Sequence, residues 1–289
     1  MGMGESLVVI LGDRRYRVEY NWGTLPADVR LGQVSQVAVD SRGRVHVFQR
    51  AELPVLVFES TGAFRGTLAE GRIADAHGIA VAPDDRVLLV DRDAHQILIF
   101  GPEGALLGTL GERHRPRHGA PFNHPADVAV APDGEIYVAD GYGNAMVHRF
   151  TGSGEHRQSW GRPGDGPGEF TTPHAVWVDR EDRVLVADRE NDRVQLFDRD
   201  GRYLAEWRDF YHPMDIYEDT EGRIYVTDQI PRLSQLAPDG TLIGRCRPSF
   251  NTPHGVWGAP DGALFIAEMN PSQIVRLTPD VQLRSRADR

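Results

Sequence analysis

Apolar and polar positions alternate in short runs along most of the chain, and the runs come in pairs around an Asp-Gly-like turn. The phrase recurs six times: VSQVAVDSRGRVHVFQ from Val34, AHGIAVAPDDRVLLVD from Ala76, PADVAVAPDGEIYVAD from Pro125, PHAVWVDREDRVLVAD from Pro173, PMDIYEDTEGRIYVTD from Pro213 and PHGVWGAPDGALFIAE from Pro253. Alternation at period two with β-branched residues predicts strands, and a turn between two runs predicts a hairpin. Each phrase is followed by a second strand pair, such as RVQLFDRDGRYLAEW, which makes four strands per unit. Repeats of roughly forty to fifty residues with four short strands each predict the blades of an all-β, six-bladed β-propeller filling residues 1–289 as a single domain. The strand-like segment Tyr16–Trp22 precedes the first phrase, and it is expected to complete the last blade and close the ring. A solenoid is the alternative, but it leaves two open sheet edges and no use for that segment.

Strand direction places the start of each first strand, the end of each second strand and the crossing to the next blade on one face. The position opening the first strand reads Ser35, His77, Ala126, His174, Met214 and His254. Histidine therefore occupies alternate blades, a third of a turn apart, and three imidazoles at one channel mouth form the ligand set of a zinc site with an open fourth position. His124 and His212 fall out of this phase and are expected in loops or beside the ligands. The next position reads Gln36, Gly78, Asp127, Ala175, Asp215 and Gly255. Asp127 and Asp215 have two readings, orienting metal ligands or capping backbone amides, and the second is preferred.

At the end of the second strand lie Arg50, Arg92, Tyr142 and Arg189, following Gln49, Asp91, Gly141 and Asp188. An arginine after an aspartate often makes only a surface ion pair. It can also hold a carboxylate through two parallel hydrogen bonds. Two long crossings, Gly111–Asn123 and Gly161–Thr172, share this face, and the arginines of the first are either solvated or part of a lid over an acidic substrate.

Composition narrows the partners. The 289 residues carry a formal net charge of -10, which argues against nucleic acid or an anionic membrane. Cys246 is the single cysteine, expected as a buried strand residue. The apolar stretch Leu7–Leu11 is too short to span a bilayer and lacks the flanks of a secretory signal, so a cytoplasmic protein is expected. Met1, Gly2 and Ser6 fit a myristoylation pattern by chance alone.

From Ala126 to Phe197 the segments ADVAVAPDGEIYVADGYGNAMVHRF and GEFTTPHAVWVDREDRVLVADRENDRVQLF contain DGYGN, PHAV and ADREN. This region resembles the NHL-repeat propellers and, within them, the peptidyl-α-hydroxyglycine α-amidating lyases. The resemblance implies zinc on His77, His174 and His254, a catalytic tyrosine at Tyr142, and substrate-contacting arginines at Arg50 and Arg189. Arg92 stands where the family pattern has no arginine and is expected to line the substrate pocket. Gly143 replaces a cysteine of the secreted members. Gly255 replaces an aspartate that binds a structural calcium, which speaks against calcium here. The implied reaction cleaves the N–C bond of an N-acyl-α-hydroxyglycine to an amide and glyoxylate, the substrate being a small molecule or a short peptide. Zinc action on a ureidoglycolate-like compound and a non-catalytic interaction propeller are the alternatives.

Overall fold

The apolar runs form strands because β-branched and aromatic residues suit an extended, half-buried backbone, while the turns use residues that accept a left-handed conformation. Gly134, Gly240 and Gly262 in the three Pro-Asp-Gly turns sit at φ 90°, 86° and 80°. The computed structural model describes residues 7–248 and 250–280, so Met1, Gly2 and Ser6 lie outside the described residues. Six antiparallel sheets form a β-propeller, with one 3₁₀ turn among the described residues, at Arg189–Asn191. The innermost strands are Gln33–Val39, Ala76–Val81, Asp127–Val130, Pro173–Val178, Pro213–Glu218 and Pro253–Gly258, here the first strands of blades one to six.

Ring closure is made by the N-terminal segment, as its pattern predicts. Its strand runs Arg14–Glu19 rather than Tyr16–Trp22, and it pairs with Ser272–Pro279 so that Tyr16 faces Pro279 and Val18 faces Leu277. Val8–Leu11 adds a fifth strand outside it. Trp22 has left the sheet by then and packs on Phe58 of blade one and Phe265 of blade six, at 5.6 and 4.7 Å between ring centroids. The closing joint is thus held by backbone pairing on one side and by aromatic packing on the other.

Six apolar clusters fill the gaps between neighbouring blades. A second device repeats with the blades. The polar residue ending each second strand (Gln49, Asp91, Asp140, Asp188, Asp228, Glu268) is fully buried. Most of these turn an oxygen to backbone N–H groups of the preceding crossing. Gly32 donates to Gln49, Ala74 and Asp75 to Asp91, Asn123 to Asp140, Thr171 to Asp188, and Asn251 and Thr252 to Glu268. A buried acceptor left unmade costs about 1–3 kcal/mol, so these bonds fix the crossings on the histidine face. The aspartates before Arg92 and Arg189 are occupied in this way, and those arginines find other partners.

At the opposite end of the channel, Trp177, Tyr217 and Trp257 meet with ring centroids 5.3–5.8 Å apart. The same register position holds Ala38, Ala80 and Ala129 in blades one to three. Large rings from one half of the ring therefore fill the space left by small residues of the other, and Trp257 reaches the clusters on both sides of blades one and two. Cys246 ends an outer strand and is buried, which pushes its thiol up to about 12. Among the described residues no helix is long and apolar enough to cross a membrane.

Closure through the N-terminal strand has a direct test. Tyr16 is fully buried, so Tyr16→Ala should destabilise the fold by about 3–5 kcal/mol in urea unfolding. A loss below about 1 kcal/mol would show that the strand adds little to the closed ring.

Candidate metal centre

His77, His174 and His254 open the first strands of blades two, four and six and are 1%, 2% and 4% exposed. Their rings lie 5.0–5.1 Å apart between centroids, and one nitrogen of each lies within 4.8 Å of the others. Each ring is aimed by the next blade. His77 Nδ1 is 2.7 Å from the Ala126 carbonyl and His174 Nδ1 is 2.7 Å from that of Met214. His254 Nδ1 is turned to the Ser35 backbone in the corresponding place, without a well-aligned bond. A carbonyl only accepts, so the proton sits on Nδ1 and Nε2 keeps its lone pair. Burial first, then the neighbouring imidazole and arginine charges, hold His77 and His174 well below the ordinary histidine range. His254 is lowered to about 3, by burial and then by Arg50. Three neutral imidazoles with oriented rings and facing lone pairs could hold a metal ion, and this donor chemistry fits zinc.

Tyr142 closes the open side. Its hydroxyl lies 2.9 Å from His77 Nε2 and 3.1 Å from His174 Nε2, with Arg189 Nη1 at 3.3 Å. Its ring stands edge-on to both imidazoles, and the guanidinium carbons of Arg92 and Arg189 lie 5.2 and 5.5 Å from the ring centroid. The ring is 37% exposed and packs on the site rather than on the core. Arg50, Arg92 and Arg189 all come to this mouth. The 3₁₀ turn carries Arg189, and Glu190 holds its Nε at 2.8 Å.

Among the described residues Asp127 and Asp215 make no hydrogen bond to the histidines. Asp127 accepts the Val176 N–H and Asp215 accepts those of Val256 and the Gln36 side chain, so they cap amides of the following blade with a carboxyl from the wall of the channel. Burial raises both above the usual carboxylate range, Asp215 to about 7. At Gly255 an added Cβ would stand 1.6 Å from Gln36 Oε1, so the Gln36 side chain occupies the room an aspartate there would need. His124 packs on His95 at 4.2 Å, and His212 pairs with Glu190 at 3.0 Å; neither joins the three. In the long crossings, Phe122 and Phe170 are buried anchors. Arg115 and Arg117 are 68% and 57% exposed and pair with Glu112, which makes them solvated rather than part of a lid.

One residue of the mouth escaped the sequence pattern. Asp75 lies 3.0 Å from Arg50 and 3.1 Å from Arg92. Its signal was an acidic residue two places before a phased histidine, which no other blade repeats.

Titration with zinc should give one ion per chain, and His174→Ala should abolish tight binding while His124→Ala and His212→Ala keep it. Full zinc occupancy in the His174→Ala protein would remove the assignment.

A family model described as a 6-bladed beta-propeller matches residues 121–233. Human NHL repeat-containing protein 3 is 31% identical over 175 residues, covering 55% of this chain and 50% of its own length. A peptidyl-α-hydroxyglycine α-amidating lyase of Drosophila melanogaster is 27% identical over 197 residues, covering 57% of this chain and 36% of its own. The match thus spans half or less of these curated relatives. A virginiamycin B lyase from Staphylococcus aureus, solved with quinupristin, superposes with a TM-score of 0.66 at 15% identity, covering 93% of this chain and 90% of that one; this likeness is one of fold. The chain is therefore a six-bladed β-propeller with NHL-repeat homologues, among them peptidyl-α-hydroxyglycine α-amidating lyases of Caenorhabditis elegans and Drosophila at 30% and 27% identity.

Proposed function

We propose that this protein is a zinc-dependent lyase that cleaves the N–C bond of an N-acyl-α-hydroxyglycine, releasing an amide and glyoxylate. The observation that carries the reading is the Tyr142 hydroxyl set 2.9 and 3.1 Å from two of three facing imidazole nitrogens, in a chain whose relatives include amidating lyases. His77, His174 and His254 would hold the zinc ion, which supplies Lewis-acid polarisation of the substrate oxygens. With its own phenol proton first released to solvent, Tyr142 Oη as the phenolate takes the proton of the α-hydroxyl as the carbonyl of glyoxylate forms and the C–N bond breaks. The same oxygen returns the proton to the leaving amide nitrogen, so the step consumes no water and no redox equivalent. Arg189 Nη1 steadies the Tyr142 oxygen while it is without its proton. Arg50 and its neighbours give local positive charge to a chain whose net charge is -10, as a carboxylate substrate requires.

Glyoxylate release from N-acyl-α-hydroxyglycines by the zinc-loaded protein tests the reaction. Tyr142→Phe should lower turnover by about 10² to 10⁴-fold with zinc content and melting temperature retained. Turnover within about twofold of the parent would take the tyrosine out of the mechanism. A zinc-loaded parent that accelerates none of several acyl substrates would return the protein to a different substrate or a scaffold role.

A further inference from the structure

The arginines at the mouth are not equivalent, because each has part of its guanidinium already engaged. Arg189 holds Glu190 through Nε and lies with Nη2 2.7 Å from the same carboxylate, and its Nη1 points to the Tyr142 hydroxyl. Its donors are thus committed to a local acid and to the tyrosine. Arg50 uses Nε on the Ala76 carbonyl and Nη1 on Gln33, while Arg92 uses Nε on Asp93. Between Arg50 and Arg92 sits Asp75, with Oδ1 3.0 Å from Arg50 Nε and Oδ2 3.1 Å from Arg92 Nη2. Asp75 is 14% exposed, and its Oδ2 makes no well-aligned hydrogen bond among the described residues. It ties two cations together by charge, and Arg50 Nη2 and Arg92 Nη1 remain without a hydrogen-bond partner among those residues. Arg50 has Nη1 taken by Gln33, and the Nη2 side of Arg92 faces the Asp75 carboxylate, so neither arginine offers an edge clear of a neighbour.

We infer that this chain takes the substrate carboxylate between Arg50 and Arg92, one oxygen on each, with Asp75 as the positioning residue that sets their spacing, while Arg189 serves Tyr142. The inference deepens the lyase reading and rests on it for the identity of the ligand. Two like charges side by side repel, and a shared carboxylate between them lets both stay at the mouth in the free protein. Asp75 occupies one side of each guanidinium, so an arriving carboxylate meets a pre-set pair rather than two mobile side chains, which lowers the ordering cost of binding. Arg92 becomes a specificity residue, because it is the second cation of the pair and also lies against the Tyr142 ring. The substrates favoured are those with a free α-carboxylate beside the carbinol carbon; esters and carboxamides of the same compounds are disfavoured.

Calorimetry on the zinc-loaded protein with N-acetylglycine and N-acetylglycinamide separates this from the reaction itself. The parent should bind the acid more tightly than the amide. Arg92→Met should weaken the acid by roughly 10-fold or more and leave the amide unchanged, in line with loss of one charge-assisted hydrogen bond. Asp75→Asn should act in the same direction, and Asp75→Glu should recover part of the preference. With an N-acyl-α-hydroxyglycine as substrate, Arg92→Met should raise KM, whereas Arg189→Met should lower kcat with KM within about threefold. Parent-like acid preference in Arg92→Met, or loss of that preference in Arg189→Met alone, overturns the inference. Unchanged acid binding in an Asp75→Asn protein that keeps its zinc and melting temperature overturns the part given to Asp75. A parent that prefers the acid but releases no glyoxylate defeats the lyase reading and leaves the carboxylate pair standing.

Discussion

Three imidazoles buried at one point cannot share that point as cations, and the rest of the site follows from keeping them neutral. Burial and mutual repulsion remove their protons, and a carbonyl from the neighbouring blade decides which nitrogen keeps the remaining one. Each histidine therefore stands on one blade and is aimed by the next. The convergence of the three rings is a property of the closed ring, because the carbonyl that aims His77 or His174 belongs to the following blade. This links the N-terminal strand to the chemistry: it touches no site residue, yet it fixes the last blade, which carries His254, against the first, which carries Ser35.

Much of this architecture is legible in the sequence because it is written in period and phase. Hydrophobic alternation marks the strands, the recurring phrase marks the blades, and the histidines are conspicuous for occupying only every second copy. Tyr142 is legible for a related reason, as an aromatic residue just past the strand end where blades one, two and four carry arginine. The partners that aim the histidines are not legible, since any residue carries a carbonyl and Ala126, Met214 and Ser35 share no side-chain feature. Asp75 lies outside the repeated phrase, and the donors an arginine has left to offer depend on neighbours brought from other blades. Asp127 and Asp215 show the limit of phase: they share a register position beside the histidines, yet their oxygens serve backbone amides one blade on.

Net charge and local charge part company here. The chain is acidic as a whole, but many of its acids are spent in the interior, where Asp91, Asp140, Asp188 and Glu268 hold backbone amides of the crossings. At the mouth three arginines stand beside three acids, Asp75 between Arg50 and Arg92, Asp93 on Arg92 and Glu190 on Arg189, so the field there depends on which guanidinium faces stay open.

The aromatic stopper of Trp177, Tyr217 and Trp257 turns the axial channel into a cul-de-sac. On the proposed reading, a molecule that reaches the histidines comes in past Arg50, Arg92 and Tyr142 and leaves on the same side. On the proposed lyase reading, exchange at such a site is a matter of turn-taking rather than through-flow: of the two product fragments, the one nearer the mouth leaves before the inner one. The residues that greet an incoming molecule then also set the pace at which the pocket empties.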